Sequence, residues 1–208
     1  MVVAFPQDRR VDRLADLYWL LAHRAWGTAR LGDEPFALGL AAGVLGELLT
    51  QPAGTVGGQL LEPDPVLAPV LADLAEAAGQ DIVRPTRVWI EWLAQERHRR
   101  TERAVVGRLA RTGLVAHRGR RFVPVDHWVA ATPVTLLTVA LAGSAAVTEQ
   151  VRLLAGLAVS CGLAGELAEP GDNRMVSLQQ LARRLPDPLL GVLAAVDDAL
   201  QALAVRRR

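Results

Sequence analysis

Between Trp128 and Thr148 the chain carries no charged side chain for 21 residues, and no other feature constrains its fold more. A run of that length is able to span a bilayer. This one contains Pro133, five Thr or Ser residues and many Ala, and neither flank carries the basic excess that orients a membrane span. The run therefore reads as a buried core helix that begins near Pro133, a residue favoured in a first helical turn. The rest of the composition agrees with a packed chain. Of 208 residues, 51% are hydrophobic and 4% aromatic, so Ala, Leu and Val fill the interior. A chain this apolar offsets its ordering entropy by burial. One domain over residues 1–208 is expected, with its core at about 13–204.

Apolar spacing predicts helices along most of the chain. Asp12–Arg24 places Leu14, Leu17, Tyr18, Leu20 and Leu21 at helical intervals behind Asp12 as a cap. Phe36–Leu49 is apolar throughout except for Glu47, and Gly39, Gly43 and Gly46 leave one face thin enough for close packing. Pro63–Ala78 opens with Asp64 and Pro65, the order of a cap and a first turn. Further helices are predicted over 84–95, 97–111, 133–146, 148–167, 177–185 and 188–204. Gly113 ends the fifth as a C-cap. Leu114–Val125 reads as a hairpin turning at Arg118, Gly119 and Arg120, and a second small strand pair is placed around Thr55–Leu61. The fold class is all-α, a helical bundle core surrounded by amphipathic helices, with one or two small β-hairpins.

Charge is distributed unevenly. The formal net charge is +1, but Glu96–Arg121 holds nine Arg against two Glu, and the chain has no Lys. Asp64, Asp73, Glu76 and Asp81 cluster upstream. Such a split points to an anionic partner. On a helix, Arg97, Arg100, Arg108 and Arg111 fall within roughly 80°, Arg99 and Arg103 lie on the other flank, and Val105, Val106 and Leu109 lie between. Like charges at these spacings cost about 0.2–0.5 kcal/mol per pair unless an anion offsets them. Arg97, Arg99, Arg100 and Arg103 are the candidate lipid-headgroup residues. Trp26 stands in a loop between Arg24 and Arg30. With Arg30, Arg120 and Arg121 it forms the candidate membrane-interface set, because an amphipathic indole favours the headgroup layer.

Catalysis is not expected. His23, His98, His117 and His127 lack metal-ligand spacing, and the glycines of Gly54–Gly58 are not followed by the Lys-Ser/Thr of a phosphate loop. No nucleophile elbow is present. Neither a metal nor a cofactor is expected. Cys161 is alone, which excludes an internal disulfide and suits a reducing cytoplasm. It sits in an apolar run and reads as a buried, inert thiol. The opening MVVAFPQDRRVDR puts charge after a short apolar stretch, the wrong order for a signal peptide.

Several segments, in order, resemble the Golgi phosphoprotein 3 family in its bacterial, actinobacterial-type form. They are LADLYWLLAHRAWGTARL, ALGLAAGVLGELL, PDPVLAPVLADLA, VWIEWLA with Trp89, RTERAVVGRLARTGLVAHRGRRFVPV and RLLAGLAVSCGLAGEL. The resemblance implies an all-α fold and peripheral attachment to a membrane through an anionic headgroup, a phosphoinositide such as phosphatidylinositol 4-phosphate or another acidic phospholipid. The family's headgroup pocket of one Trp and three Arg falls here on Gly32, Ala41, Arg99 and Glu102, the last beside Arg100 and Arg103. A location in the cytoplasm, peripheral to the inner face of the cell membrane, follows as an expectation, as does a possible homo-oligomer. Two other readings of the basic segment remain open. One is a winged-helix-like nucleic-acid binder, with 100–125 as recognition helix and wing. The other is a scaffold docking an acidic protein partner.

Overall fold

The computed structural model describes residues 11–50, 66, 68–70, 72, 76, 85–95, 97–143, 146–167 and 173–206. Within them the chain runs α1 (Leu14–Ala22), α2 (Asp33–Thr50), α3 (Thr86–Gln95), α4 (His98–Arg111), β1 (Val115–Arg118), β2 (Arg121–Pro124), α5 (His127–Leu141), α6 (Glu149–Ser160), α7 (Ala164–Leu167), α8 (Arg174–Ala182) and α9 (Asp187–Arg206). Helices dominate and the strands form a single antiparallel pair, so the fold is all-α. Most of Pro63–Ala78, the strand pair placed around Thr55–Leu61, and Asp64, Asp73 and Asp81 lie outside the described residues.

The core is built around α1. All nine of its residues are buried, including Asp16. It therefore has no solvent face, although its leucine spacing resembles that of an amphipathic helix. Helices α2, α4, α5 and α6 pack around it. The three glycines of α2 make the closest approach possible. A Cβ at Gly39 would overlap the Tyr18 hydroxyl, one at Gly46 would overlap Leu153, and one at Gly43 would lie 3.3 Å from the Ala15 Cα. The thin face predicted for α2 is thus the face laid on α1.

Several boundaries differ from the sequence reading. Helix α1 starts at Leu14, with Arg13 at the N-cap and no side-chain cap, so Asp12 does not cap it. Helix α2 begins at Asp33, because its acidic first turn suits a helix N-terminus. The segment 148–167 divides into α6 and α7 around Gly162, whose φ of 83° ends the first helix. The largest change concerns the uncharged run. Helix α5 starts at His127, because Asp126 accepts a hydrogen bond from Val129 N at 2.9 Å, and Pro133 lies inside it. At 15 residues it is shorter than the ~20 that a bilayer requires. Nor is it a fully buried helix: Val129, Pro133 and Leu137 are buried, while Trp128, Thr135 and Val139 face outward. Among the described helices α9 alone is long and apolar enough to cross a membrane, and it is packed on α2, α3 and α6 through Leu189, Val192, Leu193 and Val196.

Candidate functional site

Helix α4 carries most of the basic segment and divides it between two environments. Its C-terminal half faces inward through Val105, Val106 and Leu109, and Arg108 goes with them. Arg108 Nη2 donates to Asp16 Oδ1 at 2.8 Å and to Glu47 Oε1 at 2.9 Å. Its Nε reaches Asp16 Oδ1 at 3.0 Å and its Nη1 reaches Glu47 Oε2 at 3.2 Å. Glu47 Oε1 also accepts the Ala15 N–H at 2.8 Å. Burial works against the Arg108 charge, but Glu47 and Asp16 outweigh it and raise the guanidinium pKa above its ordinary value. This corrects the sequence reading, which counted Arg108 with Arg97, Arg100 and Arg111 on one basic face. Arg108 is a structural ion that ties α4 to α1 and α2.

The N-terminal half of α4 faces outward. Arg99, Arg100 and Arg103 are exposed and Arg97 is half-buried, its guanidinium 5.1 Å from the Trp92 ring. Arg97 and Arg100 line a small cavity of about 90 Å³ with Val66, Val70, Trp92 and Thr101. Arg99 and Arg103 are one turn apart on the open side. None of these four forms a salt bridge with a described residue. His98 packs edge-on to Phe36 at 5.6 Å, and Phe36 packs edge-on to His23 at 5.2 Å. This contact joins the start of α4 to the loop that follows α1.

That loop leads to a second basic region. It closes through the bridge between His23 and Ala29, with Gly27 at φ 77°. A Cβ at Gly27 would lie 2.5 Å from the Phe122 carbonyl and 2.7 Å from Val123 Cγ1, so the loop rests directly on the hairpin. The hairpin turns at Gly119, φ 63°, and Arg120, as the sequence predicts, and its register sets Arg118 opposite Arg121 and His117 opposite Phe122. Trp26 is 62% exposed and Trp128 is 59% exposed. A groove of about 470 Å³ beside Trp26 is lined by Ala25, Trp26, Arg118, Arg121, Val123, Pro124, Val125, Asp126 and His127.

Trp26 and Arg121 thus share the lining of one groove, and Arg120 is exposed at the turn next to Arg121. Arg30 is half-buried, with its Nε inside. The sequence places Arg118 at the hairpin turn but outside the interface set, which also omits His127 and Trp128. The signal for Arg118 was available: a two-residue turn at 119–120 places 118 and 121 directly across from each other. Among the described residues no group of three or more His, Cys, Asp or Glu is placed to hold a metal ion. Cys161 is buried, its thiol pushed up to about 12 by burial. Trp89 is buried and packs edge-on to Trp92 at 5.7 Å.

The described residues form an all-α domain whose surface carries Arg99, Arg100 and Arg103 without salt-bridge partners among the described residues, and an exposed Trp26. The chain is a member of the Golgi phosphoprotein 3 family: the family model Golgi phosphoprotein 3 (GPP34) matches residues 14–203. No curated protein and no solved structure matches it. The four positions on which the family's headgroup pocket falls do not form a cationic pocket here. Gly32 is exposed with open space around its Cα, Ala41 is sealed in the core, and the Glu102 carboxylate lies 3.8 Å from His98 Nε2. Arg99 alone supplies a positive charge.

Proposed function

We propose that this chain is a peripheral membrane protein, not an enzyme, that binds acidic phospholipid through the outward half of α4 and the neighbouring hairpin. The observation that carries this reading is the set Arg99, Arg100 and Arg103, exposed and without acidic partners among the described residues. Each such residue near an anionic leaflet contributes about 1 kcal/mol, and the attraction fades within a Debye length. Trp26, on the groove beside the hairpin, supplies an exposed interfacial ring. Attachment to the inner face of the cell membrane fits this chemistry, with a phosphoinositide or another acidic phospholipid as ligand.

Sedimentation with acidic vesicles, at low and raised salt, tests it. Wild-type protein is expected to pellet with equimolar phosphatidylcholine and phosphatidylglycerol, less so as salt rises, and not with phosphatidylcholine alone. The triple variant Arg99→Glu, Arg100→Glu, Arg103→Glu is expected to stay in solution while remaining folded. A folded wild type that fails to pellet at low salt would overturn the reading.

One observation favours a second reading. Helix α3 precedes α4 with only residues 96 and 97 between them, and the hairpin follows, an order shared with winged-helix nucleic-acid binders. Buried Val105, Val106 and Leu109 occupy the C-terminal half of the would-be recognition helix. A gel shift with duplex DNA across salt separates the two readings.

A further inference from the structure

We propose that the groove between the 24–28 loop, the hairpin and the start of α5 seats the phosphate group of an acidic phospholipid, with Trp26 at the membrane interface beside it. The inference rests on the membrane reading above and names where the headgroup is held. The arginines of α4 then provide longer-range attraction.

Three observations carry it. The first is the register. Arg118 and Arg121 form a directly opposed cross-strand pair, and both line the groove. Like charges at such positions destabilise a two-stranded ribbon. Neither has a salt-bridge partner among the described residues, so a bound anion would relieve the repulsion. Two guanidinium groups fork onto phosphate oxygens more effectively than point charges do.

The second is the division of the ribbon's two faces. In an antiparallel pair, opposed residues share a face and successive pairs alternate. Ala116 and Val123 therefore lie on the face of Arg118 and Arg121, whereas His117 and Phe122 stack at 4.9 Å on the other. The groove thus joins two cations to an apolar floor of Val123 and Val125, with Pro124 also in its lining. Its one carboxylate, Asp126, is already engaged as the cap of α5, accepting from Val129 N. A phosphate ester attached to an apolar body matches both surfaces.

The third is the aromatic border. Trp26 lines the groove at 62% exposure, with the Arg24 guanidinium 5.9 Å from its ring. Trp128 follows His127 at 59% exposure, and their rings lie 4.6 Å apart. Indoles with an apolar body and one N–H are favoured at the depth of lipid headgroups. A site for a freely soluble phosphate needs no such exposed border. The lipid headgroup is therefore the assigned occupant.

The test compares two variants of equal charge in the full chain, Arg118→Ser/Arg121→Ser in the groove and Arg99→Ser/Arg103→Ser on α4. Vesicles of equimolar phosphatidylcholine and phosphatidylglycerol are the probe. At low salt each pair is expected to weaken partitioning by about thirtyfold, the equivalent of about 1 kcal/mol per Arg. At raised salt the α4 variant is expected to converge on wild type, because its loss is screened, while the groove variant stays weaker because its contact is short-ranged. A groove variant no weaker than the α4 variant at raised salt overturns the proposal. The membrane reading itself fails separately, when wild type does not bind at low salt. Arg118→Lys/Arg121→Lys guards against a collapsed hairpin: it keeps the charges and is expected to recover low-salt binding but not high-salt binding. Glycerol 3-phosphate is expected not to displace the protein beyond a sodium chloride control of equal ionic strength. Displacement would assign the groove to a soluble phosphate ester and overturn the lipid assignment. Loss of duplex DNA binding in the groove variant, with vesicle binding intact, would overturn it as well.

Discussion

Arg108 and Glu47 lie 61 residues apart and meet through two contacts, Nη2 to Oε1 at 2.9 Å and Nη1 to Oε2 at 3.2 Å, in a region where Glu47 has no exposed surface. With Asp16 they form a buried network of one cation and two carboxylates. Removing the cation leaves two anions facing each other in the core. Arg108→Met is expected to destabilise the fold by about 3–5 kcal/mol, read from urea unfolding, because a buried charge left without its partner carries its full desolvation cost. Arg103→Met on the outward face is expected to change stability by no more than about 0.5 kcal/mol. Equal effects of the two would remove the distinction between the inward and outward halves of α4.

His23 makes folding sensitive to pH. Its Nδ1 lies 2.8 Å from the Trp19 carbonyl, which can only accept, so Nδ1 carries the proton. Its ring stacks 4.0 Å from the Trp19 ring. Burial holds its pKa below the ordinary value, against opposing contributions from the Trp19 carbonyl and Glu102. The unfolded chain therefore binds a proton more readily than the folded one. Stability is complete above about pH 6.5 and declines as pH falls from there toward the folded-state value. Thermal unfolding between neutral and mildly acidic pH should show this slope, and His23→Gln should flatten it. An unchanged slope in the variant would assign the dependence elsewhere.

Cys161 serves as an intrinsic reporter. With the thiol buried and its pKa raised to about 12, almost no thiolate exists at neutral pH. An aromatic disulfide reagent is expected to label it no faster than the chain opens, so the labelling rate should rise with urea in parallel with unfolding. Rapid labelling of the native protein would contradict the burial of the thiol.

Trp26 is expected to separate binding from folding. Trp26→Ser should leave the unfolding midpoint nearly unchanged, since most of the ring is in solvent. Its partitioning onto acidic vesicles should fall several-fold. A large loss of stability instead would mean that the ring holds the loop against the hairpin.

The sequence made the helices and the hairpin readable, because period and turn chemistry are local. The thin face of α2 was legible from its glycines, and Gly119 with its neighbours located the turn. Arg108 was not legible. Helical geometry places it beside Arg100 and Arg111, and only its tertiary partners on α1 and α2 turn it inward. The same holds for α1, whose leucine spacing conceals complete burial, including Asp16. Helix α5 was misplaced because Pro133 drew the start toward itself, while Asp126 caps the helix seven residues earlier. The groove depends on the 24–28 loop lying against the hairpin, a contact that no local pattern encodes.

The buried ion on α4 has a consequence for how this surface is able to change. Because Arg108 fixes the rotation of the helix against α1 and α2, the directions in which positions 99, 100 and 103 project are set independently of which residues occupy them. Outward side chains can therefore be exchanged, and the charge of this face changed, on a mounting that does not turn with the substitution. Surface charge and foldability are in that sense separate traits carried by a single helix.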